Sequence, residues 1–236
     1  MENCNSVKTP CPNFQLAMSM CPSTNDNHWL AAQLPYCAII GKCMYLSNCT
    51  RPDISFAVRE LAKFMSNYGS KHYEAAKHLL CYLQGTCGHG IIYSNSPCPS
   101  PIFQSFAGSD WAMSESHKSV SGYIIECTNG PLTWSSKQQV IVALSSCKAE
   151  YLACSHCGHQ VLWLQPLFNE LGFPQDQATP LYCDNQGTVA CTHDPQSHSC
   201  MKHIDIHAHF ICDSVNWCLI DVHHIPGSEN PADLLT

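Results

Sequence analysis

Residues 121–135 read SGYIIECTNGPLTWS. Ser121 to Thr128, with Tyr123-Ile124-Ile125 at its centre, has the β-branched and aromatic content of a strand. Asn129-Gly130 is a hairpin dipeptide, because both residues tolerate the positive φ that a two-residue turn requires. Pro131 to Ser135 returns as the second arm. Working outward, Ile102 to Ser109 predicts one more strand upstream. Downstream, a long helix is predicted over about Ser145 to Leu171, ended by Gly172 and Pro174. Leu181-Tyr182-Cys183 predicts a short apolar strand ending at Asp184. Helices over about Gln186–Cys191 and Ile204–Trp217 follow, then a strand over Ile220–Ile225, and Pro231 opens a last helix. The order β-β-β-α-β-α-α-β-α predicts an α/β fold, a mixed five-stranded sheet with flanking helices.

Ahead of this sheet lies a Ser/Pro/Asn loop, Ser94 to Pro101, which is the best boundary in the chain. The stretch before it is helical. Tyr36, Ile39, Ile40 and Met44 follow a three-four spacing. Arg51-Pro52-Asp53 breaks that run, and Pro52 suits a helix start with Ile54, Val58, Leu61 and Phe64 on one face. A third helix over about His72 to Leu83 turns Tyr73, Ala76, Leu80 and Leu83 inward and stops at Gly85. Residues 1–34 are polar and proline-punctuated. The expected division is therefore a linker over 1–34, a small helical segment over 35–97 and the sheet domain over 98–236.

The 236 residues are 45% hydrophobic, which supports a real core. Charged residues are only 12% and the net charge is −7. A protein that grips phosphates normally carries a basic patch. Here Arg51 and Arg59 are the only arginines, with nine lysines spread thinly. The composition argues against tight nucleic-acid binding by this chain alone. The 18 cysteines show no repeating spacing, and Cys37, Cys43, Cys81 and Cys154 sit in apolar periodic stretches, so buried free thiols are expected rather than a disulfide scaffold. No secretory signal is visible, and no apolar run of about 18 residues predicts a membrane span.

Three acids fall at strand ends or helix starts: Glu150 in the first turns of the long helix, Asp184 after the fourth strand and Asp233 in the last helix. Such positions converge at one edge of a mixed sheet. Taken singly, each reads as a solvated surface acid. Together they are hard oxygen ligands of the kind two Mg²⁺ ions need, one ion activating water and one stabilising the leaving oxygen.

The ordered motifs carry a family resemblance. Tyr36 to Ile54 (YCAIIGKCMYLSNCTRPDI), Phe64-Met65-Ser66-Asn67, Ala75-Ala76-Lys77 and Tyr82-Leu83-Gln84-Gly85-Thr86 resemble the end of reverse transcriptase in copia-type retrotransposon Pol polyproteins. Met1-Glu2-Asn3-Cys4 with Thr9-Pro10 is similar to the linker before it. Ser109-Asp110-Trp111-Ala112, Lys118 to Tyr123, Trp134 to Gln138, Ala143 to Ser146, Ala149-Glu150-Tyr151, Tyr182 to Gln186, Lys202-His203-Ile204-Asp205 and Pro231 to Thr236 are similar to its ribonuclease H domain. The resemblance implies a ribonuclease H-like sheet, a thumb or connection remnant over 35–97, and two-metal hydrolysis of RNA in RNA–DNA hybrids. It implies four carboxylates, Asp, Glu, Asp and Asp, with Mg²⁺ as cofactor. Residue by residue, the second falls on Glu150, the third on Asp184 and the fourth on Asp233.

The first carboxylate belongs two residues before Asp110, where this chain has Gly108. Glycine has no side-chain oxygen, so the site is expected to be inactive or severely weakened. Asp110 is a poor substitute, since residues two apart on a strand are roughly 6.6 Å apart along it. Arginines expected from the family are replaced at Cys81, His117, Gln165, Cys200, His207 and Cys212. Single base changes turn arginine codons into Cys, His and Gln codons, and the losses remove groups that would hold a hybrid. Lys148 stands where an acid is usual. The chain ends at Thr236, so the domain reads as truncated at its C-terminus.

Other motifs read as ordinary structure. Cys154-Ser155-His156-Cys157-Gly158-His159 has the look of half a zinc site, but sits on the long helix where the family has no metal. His203, His207 and His209 lack the carboxylate of a metalloprotease helix. Asn48-Cys49-Thr50 fits a glycosylation pattern without a secretory signal to support it. The chain is also similar to a secreted RxLR-type effector of an oomycete plant pathogen. That class is delivered into host cells, acts in the cytoplasm or nucleus on host proteins, and modulates host cell death. Arg51 and Arg59 are too far apart to form an Arg-x-Leu-Arg motif.

Overall fold

The computed structural model describes residues 4–12, 14–24, 33–94, 102–111, 117–193 and 205–236, with side chains from 210 in the last stretch. Outside these lie Met1-Glu2-Asn3, most of the boundary loop, Ala112, Cys200 and Lys202-His203-Ile204, together with the side chains of Asp205, His207 and His209. The chain divides into two compact units, Met1–Ile91 and Ile92–Thr236.

The first unit is helical: α1 (Tyr36–Cys49), a 3-10 turn (Pro52–Ile54), α2 (Ser55–Ala62) and α3 (Ser70–Gly85). Ile54, Val58, Leu61 and Phe64 are buried, as their spacing predicts. On α1 the inward row is Tyr36, Ile40, Cys43 and Ser47, and Met44 is exposed instead. On α3 the row is His72, Ala75, Ala76, Leu79 and Tyr82, one residue round from the expected face. Small Ala75 and Ala76 let the helix approach closely, while Tyr73, Leu80 and Leu83 pack from its flanks. Arg51 locks the ends together. It forks onto Asp53 at 2.7 and 2.9 Å and reaches the Thr86 hydroxyl at 2.6 Å. Part of the segment expected as linker also packs here, because Val7, Cys11 and Leu16 are partly buried on the helices.

The second unit is a five-stranded sheet. Its strands are β1 (Phe103–Asp110), β2 (Val120–Cys127), β3 (Gly130–Gln138), β4 (Thr179–Cys183) and β5 (Ile220–His224). Its helices are α4 (Ser146–Glu170), α5 (Gln186–His193) and α6 (Asp205–Asn216). The strand order is β3-β2-β1-β4-β5, antiparallel among β1, β2 and β3 and parallel across β1-β4 and β4-β5. This is the mixed five-stranded α/β arrangement with flanking helices that the sequence predicts. Ile92 to Ser94 belong with the sheet: Ser94 N–H donates to the Thr128 carbonyl at 3.0 Å.

The hairpin turn lies one residue earlier than its dipeptide suggests. Thr128 and Asn129 have φ of 52° and 61°, and Cys127 pairs with Gly130. Gly130 is needed for a different reason, since a Cβ there would sit 2.8 Å from the Ile92 carbonyl oxygen. β3 runs on to Gln138, well past Ser135. One sheet face packs Phe103, Ala107, Tyr123, Ile125, Leu181 and Cys183 against α4 and α6. The other carries Phe106 and Ile124 under Ala232 and Leu235 of a C-terminal 3-10 turn, Pro231–Leu235. Among the described residues no helix is long and apolar enough to cross a membrane.

Every described cysteine is a free thiol. Cys43, Cys154, Cys157, Cys183, Cys191 and Cys212 are buried, whereas Cys37 is exposed, against expectation. Cys212 lies in the core between the Tyr151 hydroxyl at 3.2 Å and the Cys191 carbonyl at 3.5 Å. A hybrid-holding role does not fit that position, because its side chain faces packed protein.

Candidate active site

Strand alternation builds the site. β1 and β4 run parallel with Phe106 opposite Tyr182. Two residues further along each come Gly108 and Asp184, on the same face as that aromatic pair. Asp184 therefore leaves the carboxyl end of β4 beside the position where Gly108 leaves β1. The Asp233-bearing turn lies on this face. Asn230 holds it there: its Nδ2 donates to the Ala107 carbonyl at 3.0 Å, and its Oδ1 accepts from Ala232 N–H at 3.1 Å. Gly122 permits the close approach, since a Cβ there would lie 2.9 Å from the Ala232 oxygen, Leu235 Cβ and Thr236 Cγ2.

Glu150 arrives from the other face of the sheet. Ser145 caps α4, its hydroxyl accepting from Lys148 N–H at 3.3 Å, and Glu150 follows in the next turn. Its Oε1 accepts from Ser109 N–H at 2.8 Å and from the Ser109 hydroxyl at 3.1 Å. The Cys183 thiol donates to its Oε2 at 3.6 Å. Glu150 is only 6% exposed. Burial first, and then the charge of Asp184, push its pKa up to about 7, against the opposing pull of the Ser109 and Cys183 bonds. Asp233 is likewise raised, by burial and then by Asp184.

The three predicted acids thus share one locus. Donor atoms of Glu150, Cys183 and Asp184 lie within 4.8 Å of one another. Asp184 Oδ2 and Asp233 Oδ2 flank Gly227, lying 3.3 and 3.9 Å from where its Cβ would be. A Cβ on residue 108 would meet Asp233 Oδ1 at 3.4 Å, Asn230 Nδ2 at 3.4 Å and Ala232 Cβ at 3.7 Å. Position 108 therefore borders the acidic cluster directly. Asp110 is occupied elsewhere, accepting from Val120 N–H at the mouth of the β1–β2 connection.

The zinc-like string on α4 splits. Cys154 and Cys157 are fully buried in the core, and His156 packs edge-on against Tyr123 with ring centroids 5.0 Å apart. Sequence reasoning missed Ser109, Cys183, Asn230 and Gly122, which position the acids. Asn230 had a readable signal, an Asn immediately before a Pro at a helix start. Nothing in the string distinguishes Gly122 from a strand glycine of no consequence.

No protein-family model matches the chain. Along its full length it is 37% identical over 238 residues to the retrovirus-related Pol polyprotein from transposon TNT 1-94 of Nicotiana tabacum, of which it covers 18%. It is also 37% identical over 132 residues to secreted RxLR effector protein 161 of Plasmopara viticola, covering 56% of this chain and 92% of that protein. Among solved structures, a ribonuclease H1 isolated from compost aligns with 56% of this chain and 91% of its own, at 21% identity and a TM-score of 0.39. The chain spans less than a fifth of the transposon polyprotein it matches. Over most or all of its length the chain is thus similar to one part of retrovirus-related Pol polyproteins from transposons.

Proposed function

We propose that Ile92–Thr236 is a ribonuclease H-like domain whose ancestral reaction, two-metal hydrolysis of the RNA strand of RNA–DNA hybrids, is lost or severely weakened here. The preceding helices are the remnant of a reverse transcriptase thumb or connection. In the ancestral reaction a bound pair of Mg²⁺ ions would supply an activated water and a Lewis acid for the leaving oxygen. Glu150, Asp184 and Asp233 are the residues that would hold the metal. The donor set does not fit a pair of ions, because two divalent cations call for a fourth carboxylate and Gly108 has no side-chain oxygen. The observation that carries the proposal is the space at Gly108, whose Cβ position lies 3.4 Å from Asp233 Oδ1.

The test is cleavage of a labelled RNA–DNA hybrid with Mg²⁺ by the chain and by its Gly108→Asp variant. Cleavage by Gly108→Asp alone, abolished by adding Asp184→Asn, is the expected result. Cleavage by the unaltered chain that Asp184→Asn stops would overturn the proposal.

The likeness to the Plasmopara viticola effector, nearly all of which the chain covers, favours a second reading. In it the chain is a non-catalytic secreted protein of a plant pathogen that acts in host cells and suppresses or modulates their death. Cell-death scoring in leaves expressing the chain and Asp184→Asn tests it. The same effect from both supports it, and no effect from either removes it.

A further inference from the structure

In the helical unit, α3 carries a second stretch of chain along one side. His78, Cys81 and Gly85 stand at i, i+3 and i+7, so they share a face. Residues 4–9 lie against that face. His78 Nε2 is 2.9 Å from the Thr9 carbonyl, which can only accept, so the ring nitrogen donates. At the other end Gly85 lets Ser6 settle against the helix. A Cβ at 85 would lie 2.6 Å from Ser6 Cβ and 3.6 Å from its Cα. Val7, between these two contacts, packs on the buried core of the helices.

Cys4 lies two residues beyond Ser6, and Cys81 one helical turn before Gly85. The anchoring of Ser6 on Gly85 therefore brings the two cysteines together, and their thiols are within hydrogen-bonding reach of each other. Both residues are half-buried, so a small oxidant can reach them. Cys154 and Cys183 also touch, but both are fully buried in the sheet unit, where it cannot. A thiol is a weak donor and a weak acceptor, so the reduced pair adds little to the hold on residues 4–9. The resemblance implies arginine at position 81, which would leave Cys4 without this neighbour.

We propose that Cys4 and Cys81 form an oxidation site, closing to a disulfide that staples residues 4–9 to α3. The oxidant is a small disulfide such as oxidised glutathione. One protein thiolate attacks it, forms a mixed disulfide with one glutathione and releases the other. The neighbouring protein thiolate then attacks the protein sulfur of that mixed disulfide, its bond to glutathione breaks, and the second glutathione leaves. Two protein thiols are oxidised, one oxidised glutathione is reduced to two glutathione thiols, and the two protons end on those thiols. Glu150, Asp184 and Asp233 take no part, so the site is independent of the nuclease reading.

The full chain is equilibrated with oxidised glutathione, alkylated, and digested with trypsin without reduction. Residues 1–8 and 78–118 are tryptic peptides, and Cys4 is the one cysteine in the first. The two should appear linked, two hydrogens lighter than their sum, with fragmentation placing the bond on Cys81 rather than on Cys87 or Cys98. Cys87→Ser should keep the link and Cys81→Ser should lose it. Oxidation in urea should instead scatter the partners of Cys4 among the other cysteines. The closed loop spans most of the helical unit, so oxidation should raise the melting temperature by at least about 5 °C, an increment lost in Cys81→Ser. Cys4 recovered free or as a mixed disulfide with glutathione would overturn the proposal. So would a link placed on Cys87, the same scatter with and without urea, or a melting increment that survives Cys81→Ser.

Discussion

Gly108→Asp should make the stability of the sheet unit depend on divalent metal. A Cβ at 108 makes only ordinary contacts, 3.4 Å to Asn230 Nδ2 and Asp233 Oδ1, so aspartate fits without moving the backbone. One bond further out, its carboxylate falls within roughly 5 Å of that of Asp233. At that separation two like charges repel by about 3 kcal/mol at an effective dielectric near 20. Asp233 is only partly desolvated and the residue remains largely exposed, so solvent and salt reduce the cost to about 1 kcal/mol. Asn230 Nδ2 keeps one N–H on the Ala107 carbonyl, and its second N–H can offset only part of the repulsion. In EDTA the variant should therefore melt about 2–4 °C below the unaltered chain. Millimolar Mg²⁺ should reverse the order. A ligand at a hundred times its Kd adds about 2.7 kcal/mol, and the variant has the fuller donor set. Thermal melts of both proteins, with and without Mg²⁺, check this. A variant that melts at or above the unaltered chain in EDTA, or an equal Mg²⁺ increment in both, would refute the reasoning.

Three further outcomes are expected. In EDTA, stability should fall as pH rises from about 4.5 to 7, because the folded state holds the Glu150 proton more tightly than the unfolded chain does. The rise from 4.5 to about 7 corresponds to up to about 3 kcal/mol, so Glu150→Gln should be the more stable protein at pH 8 and no better at pH 4. Urea titrations at both values read this, and parallel pH profiles would contradict it. Gly122→Ala should cost about 1–3 kcal/mol, since its Cβ meets backbone and packed side chains at 2.9 Å, and amide shifts should report movement of the Asp233 turn. His72 is fully buried, accepts from Gly69 N–H at 3.0 Å, and is held below its ordinary pKa of 6.5 by burial. A depressed histidine stabilises above 6.5 and loses that contribution as pH falls through its folded value. His72→Asn keeps an acceptor and cannot protonate, so its urea midpoint should change less between pH 7 and 5.

Much of the sheet was legible because strand and helix periods differ and the punctuation was strong. Tyr123-Ile124-Ile125, Leu181-Tyr182-Cys183 and the glycine and proline after Leu171 marked their elements directly. The turn slipped by one residue because Gly130 satisfied two rules at once, turn preference and close packing, and only the second applies. The inward face of α3 was read one residue round, because the larger Tyr73, Leu80 and Leu83 were taken for its centre. Ala76 is buried as expected, but tight packing chose Ala75 and Leu79 beside it, and it buried His72 whose ring reads as polar in a string. At the candidate site the acids were legible and their supports were not. Glu150 and Asp184 lie at recognisable element ends, but the Ser109 N–H that fixes Glu150 is a backbone group. The string of residue types does not record such a contact.

The electrostatics separate what the fold needs from what it tolerates. Burial and Asp184 oppose ionisation of Glu150, and Asp184 raises Asp233 as well. Three carboxylates gathered with no ion pair to Lys or Arg among the described residues are therefore a cost to the metal-free fold. That cost is carried by neutral neighbours: the Ser109 amide and hydroxyl on Glu150, the Asn230 clasp on Ala107, and the bare Cα of Gly122 under the C-terminal turn. None of these depends on the side chain at 108. A carboxylate at 108 would add charge to the cluster, so glycine there relieves the metal-free fold rather than straining it. On the proposed reading, the remaining acids can keep their arrangement without a carboxylate at 108, where a Cβ would still make only ordinary contacts.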